Sequence, residues 1–231
     1  MLSDAHLHLH EVPEGGYPYG SGIGLLFSCT ARPSEWDSAG SLETPGLKRF
    51  YGVHPWYCDE WSEEVKNGLL ARLRSDPSAG VGEIGLDGTR GSLDAQIPVF
   101  CEQLDIASSL GRTVNVHMVS AEKETLDCIR GHAGRIPIII HSFKSESYVR
   151  PLSELGCYFS INPRILAKKP DAVERIISSV PRGRLLLESD APHTVKGYAG
   201  MESFISELAD AVHMSPEELT GLAFENQRSI S

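Results

Sequence analysis

A chain of 231 residues with 41% hydrophobic content is long enough to bury a substantial core as one large domain, residues 1–231. Its formal net charge of −10 excludes a protein that coats nucleic acid by bulk electrostatics, although bound divalent cations can make one local pocket positive on an acidic body. No basic segment followed by an apolar one opens the chain, and no apolar run reaches membrane-spanning length, so a cytoplasmic protein without a membrane partner is expected. The five cysteines, Cys29, Cys58, Cys101, Cys128 and Cys157, form no CxxC pair and are expected as reduced thiols.

The first strand carries Ser3-Asp4-Ala5-His6-Leu7-His8-Leu9-His10, where the two-residue period of a strand turns Asp4, His6 and His8 to one face. Residues 22–29, opening on Gly22, read as the second strand, and Pro33 to Trp36 as a short helical stretch. Strand three is Arg49 to Val53, ending at His54-Pro55-Trp56; a helix then runs from the N-cap Ser62 to about Arg74. Ala79 to Asp87 is strand four, whose glycines allow close backbone approach. A helix from about Asp94 to Leu110 stops at Gly111.

Thr113 to His117 is strand five, followed by a helix over Glu122 to Arg130. The apolar run Ile136 to His141 suits a strand buried on both faces. A helix over Glu146 to Leu155, strand seven at Cys157 to Ile161, a helix over Asp171 to Ser179 and strand eight at Leu185 to Asp190 follow. The tail is helical from about Glu202, with Pro216 in the first turn of a new helix. This alternation of strand and helix predicts a single-domain α/β protein, a (β/α)8 TIM barrel.

In such a barrel the C-terminal strand ends share one mouth, where active sites lie. Six metal-binding side chains fall at five of these ends: His6 and His8, Glu83, His117, His141 and Asp190. Imidazoles mixed with carboxylates suit Zn, Mn, Ni or Mg better than a thiolate-bound structural zinc. Six ligands exceed the need of one tetrahedral ion, so two divalent ions sharing a carboxylate are expected.

The stretches SDAHLHL (3–9), GVHP (52–55), VGEIGLD (81–87), VNVH (114–117), IIIHSF (138–143) and LLLESDAP (185–192) resemble the TatD family of metal-dependent deoxyribonucleases, within the amidohydrolase superfamily. The resemblance runs from about Leu2 to Asn226. It implies that His6, His8 and Asp190 hold one metal, His117 and His141 the other, and that Glu83 bridges them. The implied activity is hydrolysis of phosphodiesters at nucleic-acid ends, with Glu83 and Asp190 as the catalytic carboxylates and DNA or another phosphodiester as substrate. An activated water attacks phosphorus and Asp190 takes its proton.

The chain departs from the family pattern near the substrate. Val119 stands where members carry an arginine, HSFKS at 141–145 replaces HCFSG and so introduces Lys144, and His193-Thr194-Val195 replaces the usual Leu-x-Pro. Lys144 and His54 are the candidate substrate contacts, with a hydrogen-bonded loop histidine as the other reading of His54. Asp4 and Glu188 are expected to hold ligand imidazoles or a buried network. His10 is read as loop, and His132, His193 and His213 as surface. Trp56, Tyr57 and Trp61 are expected to pack under a loop rather than stack on a base, and Arg164, Lys168 and Lys169 flank the mouth or are simply solvated. Two other functions compete: an amidohydrolase acting on a small amide, ester or lactone, which Val119 favours, and a metal-bound scaffold without turnover.

Overall fold

The alternating pattern resolves, in the computed structural model, into eight strands and eight helices among the described residues 1–13, 23–195 and 198–231. Gly22, expected to open the second strand, lies outside the described residues. The strands are β1 (Leu2–Leu7), β2 (Ile23–Cys29), β3 (Leu47–Tyr51), β4 (Gly80–Asp87), β5 (Val114–Val119), β6 (Ile138–Ile140), β7 (Tyr158–Ile161) and β8 (Leu185–Leu187). The helices are α1 (Trp36–Gly40), α2 (Glu63–Ser75), α3 (Leu93–Leu110), α4 (Glu122–Ile129), α5 (Val149–Glu154), α6 (Pro170–Ser179), α7 (Tyr198–Ala211) and α8 (Pro216–Arg228). All neighbouring strands pair in parallel, in sequence order from β1 to β8.

The chain leaving β8 returns to β1. His6 O accepts from the Asp190 N–H at 2.9 Å, and Ala191 O accepts from the His8 N–H at 2.7 Å. Across the same seam the buried Asp4 carboxylate accepts from the Ser189 N–H at 3.0 Å and the Ser189 hydroxyl at 2.5 Å. The result is a nearly closed (β/α)8 barrel, as the alternation predicts.

Apolar runs without polar alternation follow from burial on both strand faces. Ile139 and Leu186 pack with Ala5, Phe27 and Phe50, whereas Ile138, Ile140, Leu185 and Leu187 join the cluster that holds helical Leu69, Leu104 and Leu208. Ser62 caps α2 by accepting from the Val65 N–H, and Gly111 ends α3 with φ 66°. The tail is two helices, the first starting earlier than expected, at Tyr198. In α8 the Gln227 amide donates to Asp4 O at 3.0 Å and Asn226 to Leu185 O at 2.8 Å, which ties this helix to both strands of the seam. No helix among the described residues is long and apolar enough to cross a membrane, and all five cysteines are free.

Several strands are shorter than the sequence pattern suggests. β3 stops at Tyr51, β6 at Ile140 and β8 at Leu187, so His54, His141 and Asp190 sit on the segments just beyond. There the backbone turns over the barrel rim: Ser120, Ser142 and Asp190 all have φ of 50°, in the left-handed region that residues other than glycine seldom occupy.

Candidate metal centre

Glu83 stands inside β4 rather than at its end, and the glycines around it explain how it reaches the mouth. The pairing of β4 with β5 shifts register between Val81 and Ile84. A Cβ on Gly82 would lie 2.8 Å from Asn115 Cβ, and one on Gly85 (φ 145°) would lie 2.0 Å from His117 O. Only glycine lets the strand bulge this close to its neighbour.

The six predicted ligands come together around this carboxylate, all buried. Glu83 Oε1 lies 2.8 Å from both His117 Nδ1 and His141 Nε2, while Oε2 lies 3.3 Å from His8 Nε2 and 3.5 Å from His6 Nε2. His6 and His8 approach to 3.3 Å through their Nε2 atoms, and His117 and His141 to 3.2 Å. Asp190 Oδ1 is 4.0 Å from His6 Nε2 and closes a group of His6, His8 and Asp190. One oxygen of this carboxylate thus faces His117 and His141, with His54 at 3.4 Å, and the other faces His6 and His8, while the His6 and His141 rings stack at 4.0 Å between them.

The tautomer of His6 follows from its neighbours. The Asn115 amide donates to Ala5 O at 2.8 Å, which makes its Oδ1 the acceptor for His6 Nδ1 at 2.9 Å. With the proton on Nδ1, the Nε2 lone pair faces two carboxylates and the His8 ring, an arrangement that only a cation or a second proton makes favourable. Divalent metal fits this donor set on chemical grounds: neutral imidazole nitrogens and carboxylate oxygens converge, with no thiolate. In the metal-free protein a proton does this work. Burial opposes it, but Cys29 and Glu83 hold the His6 imidazolium well above its ordinary value. His141 is likewise raised to about 9 against burial and the His6 charge, through Glu83 and Glu188. Glu83 itself is held well below the usual carboxylate range, since the His141 and His6 charges and a hydrogen bond from His117 outweigh its burial.

Side chains behind the centre orient it. His117 Nε2 lies 3.2 Å from Asp87 Oδ2, and Asp87 is fixed by the Trp56 indole N–H at 2.7 Å and the Thr89 N–H at 2.9 Å. Burial opposes the Asp87 charge, but those donors keep its carboxyl low. Glu188 Oε1 stands 3.4 Å from His141 Nδ1 and accepts from the Ser142 N–H at 2.8 Å and from Asn162 at 3.0 Å, which makes it part of a buried network beside that imidazole. Asp4 serves the buried network of the barrel seam. Asp190 Oδ2 accepts from the Thr194 hydroxyl at 2.7 Å and lies 3.2 Å from the half-exposed Arg164 guanidinium. Asn115, Asp87 and Arg164 were not assigned these contacts from sequence. The strand period alone places Asn115 on the face of His117, but a solitary asparagine carries no chemistry-bearing pattern.

The remaining candidates divide. His54 is buried, accepts from the Trp56 N–H at Nδ1 and turns Nε2 to within 3.4 Å of Glu83 Oε1, so it faces the carboxylate. Burial pushes His54 down to about 4 despite the Glu83 charge, so it is neutral. Lys144 is exposed, on a shallow hollow with Glu122, Glu146 and Lys168. Trp56, expected to pack under a loop, is instead 44% exposed beside His117, with the Arg90 guanidinium 3.9 Å above its ring; Tyr57 and Trp61 do pack against the core. His193, read as surface, meets the His8 ring at 4.9 Å.

Known proteins share this chain's sequence pattern and fold. The sequence model of the family described as TatD related DNase matches residues 3–230. A metal-dependent hydrolase TatD of Mycobacterium tuberculosis is 26% identical over 217 residues, 85% of this chain and 78% of that protein. The 3'-5' ssDNA/RNA exonuclease TatD of Klebsiella pneumoniae is 29% identical over 147 residues, 62% of this chain and little more than half of the enzyme, 56%. Among solved structures, the TatD homolog YJJV of Escherichia coli shares the fold with a TM-score of 0.83 at 20% identity, covering 99% of this chain and 97% of the other. A TatD family hydrolase of Entamoeba histolytica does so with a TM-score of 0.84 at 14% identity, with 99% and 97% covered. The family match over nearly the whole barrel places the chain in the TatD-related DNase family of metal-dependent hydrolases.

Proposed function

We propose that this chain is a two-metal phosphodiesterase that cleaves nucleotides from the ends of single-stranded nucleic acid. The observation that carries the reading is the division of Glu83: one oxygen faces His117 and His141, the other His6 and His8. His6, His8 and Asp190 would hold one ion, His117 and His141 the second, and Glu83 would bridge them. When bound, the ions lower the pKa of water towards neutrality and neutralise charge developing on the phosphoryl oxygens.

The chain's own groups do the rest. Asp190, with Oδ2 engaged by Thr194 and Arg164, turns Oδ1 into the site as the acceptor for the attacking water's proton. Arg164 supplies beside it the guanidinium that Val119 does not, and a planar fork suits a phosphate. Trp56, held edge-on by Asp87 and covered on one side by Arg90, offers an aromatic face to a terminal base. His54 orients Glu83, and the exposed Lys144 offers a positive charge to the substrate.

A second reading, hydrolysis of a small ester, amide or lactone, draws on the uncharged Val119. Turnover of bis-p-nitrophenyl phosphate and end-labelled single-stranded DNA, set beside an ester and lactone panel, separates the two. Preferential phosphodiester cleavage is expected; ester or lactone turnover alone would select the second reading, and bound metal without any turnover would select a scaffold. Elemental analysis supplies the structural test. Glu83→Ala should lose more metal than His54→Ala, and equal metal content in the two variants would defeat the bridge.

A further inference from the structure

Beside the Glu83 centre, the loops after β1 and β2 bring together a second group of imidazole and carboxylates. The 3-10 turn Leu9–Glu11, directly after His8, sets His10 next to Glu11, and the 3-10 turn Pro33–Glu35 brings Glu35 opposite. His10 Nε2 lies 3.2 Å from Glu35 Oε2 and 3.7 Å from Glu11 Oε1, and one ligand atom from each residue falls within 4.8 Å of the others. The His10 side chain is only 4% exposed, yet neither of its ring nitrogens makes a hydrogen bond among the described residues. Glu35 is near enough, but off the line of a ring N–H.

Buried polar atoms in native proteins nearly always make a hydrogen bond, so a buried imidazole that makes none while aimed at two carboxylates marks a missing partner. The carboxylates are held in place independently of His10. Glu35 Oε2 accepts from the Ala31 N–H at 2.6 Å, and Glu11 Oε2 lies 3.2 Å from His193 Nε2. Two carboxylates and a neutral imidazole carry a formal charge that one divalent ion cancels.

We propose that His10, Glu11 and Glu35 form a third divalent-cation site, on the rim of the barrel mouth. A nitrogen and two oxygens suit Zn or Mn, and three protein ligands leave positions open for water or a phosphate oxygen. The His8 and His10 rings are 6.2 Å apart, which puts this ion beside the Glu83 centre without sharing its bridging carboxylate. The rim cation adds positive charge where an otherwise acidic molecule must receive a polyanion. The site does not depend on which reaction the Glu83 centre performs.

The test is ion stoichiometry and affinity on the full chain, stripped with a chelator and dialysed against Zn(II) or Mn(II). Glu35→Gln keeps an oxygen for the Ala31 N–H, and Glu11→Gln alters a partly exposed side chain, so both should keep the wild-type circular dichroism. Each, together with His10→Ala, should hold one ion fewer than wild type at limiting metal. The affinity for that ion should fall by about 10²-fold or more, since even loss of a supporting contact behind a ligand costs about 10–100-fold. Wild-type stoichiometry and affinity in all three variants would overturn the site and leave His10 an ion-pair partner of Glu35. Glu83→Ala distinguishes the two centres: it should keep the rim ion while losing metal from its own, whereas loss of the rim ion alone in the His10 variant stands whatever becomes of the bridging assignment.

Discussion

Asp190 is the residue on which the proposed chemistry most depends. Its left-handed backbone, with φ 50°, lifts the carboxylate over the rim just past β8. Thr194 and Arg164 engage one oxygen, so the other has a single direction to face. Asp190→Asn should lower kcat by roughly 10²-fold or more with little change in KM, the range of a lost general base, while metal stays on His117, His141 and Glu83. Near wild-type kcat in a fully loaded variant would remove Asp190 from this role. Asn115 acts one step further back, through the His6 tautomer. Asn115→Ala should weaken metal binding about 10–100-fold in a chelator competition; unchanged affinity would mean that His6 needs no such guide. The convergence of the six candidate ligands was legible from sequence because histidines and acids recur at strand exits. Asn115 and Asp87 were not, because their meaning lies in a contact with another strand's imidazole.

At the scale of elements, hydrophobic runs and caps located the strands and helices, and the errors fall at strand ends. Pattern alone extends β8 to Asp190 and β3 to Val53, but the pairing stops earlier because the chain there bends inward to deliver polar groups. The glycines of VGEIGLD announced close approach, although only the register with β5 shows that they bulge the strand around Glu83. Helix α8 illustrates the reverse, an element whose local signals were complete. Ser215 accepts from the Glu218 N–H while the Glu218 side chain accepts from the Ser215 N–H, and Pro216 occupies the first turn. Because α8 also ties down Asp4 and Leu185 at the barrel seam, its fraying should be felt in the whole fold. Ser215→Ala should cost about 1 kcal/mol and lower Tm by about 2–4 °C. An unchanged Tm would show that α8 is held by its side-chain ties alone.

For the molecule as a whole, the proposed function asks an acidic body to accept a polyanion, and bound cations would reconcile the two. On that reading metal loading, and its competition with protons, would govern activity across pH. In the metal-free protein His141 carries a proton up to about 9, above its ordinary 6.5, so the stability it contributes is complete below about 6.5 and is lost as pH rises through about 9. Glu83 has the opposite sign: its low folded-state value contributes stability above the ordinary carboxylate range, lost only as pH falls through that depressed value. Between about pH 7 and 9 the imidazolium therefore sets the slope, and the stripped protein should show a falling Tm. A metal must displace this proton, because only neutral imidazole binds it. Apparent metal affinity, measured by chelator competition, should thus rise by about tenfold or more per pH unit between about 7 and 9, with proton release visible as a buffer-dependent heat of binding. The loaded protein, with no proton left to lose at His141, should keep its Tm over the same span. Equal affinity at about pH 7 and 9, without proton release, would mean that His141 is already neutral in the metal-free barrel and that Glu83 does not hold its proton there.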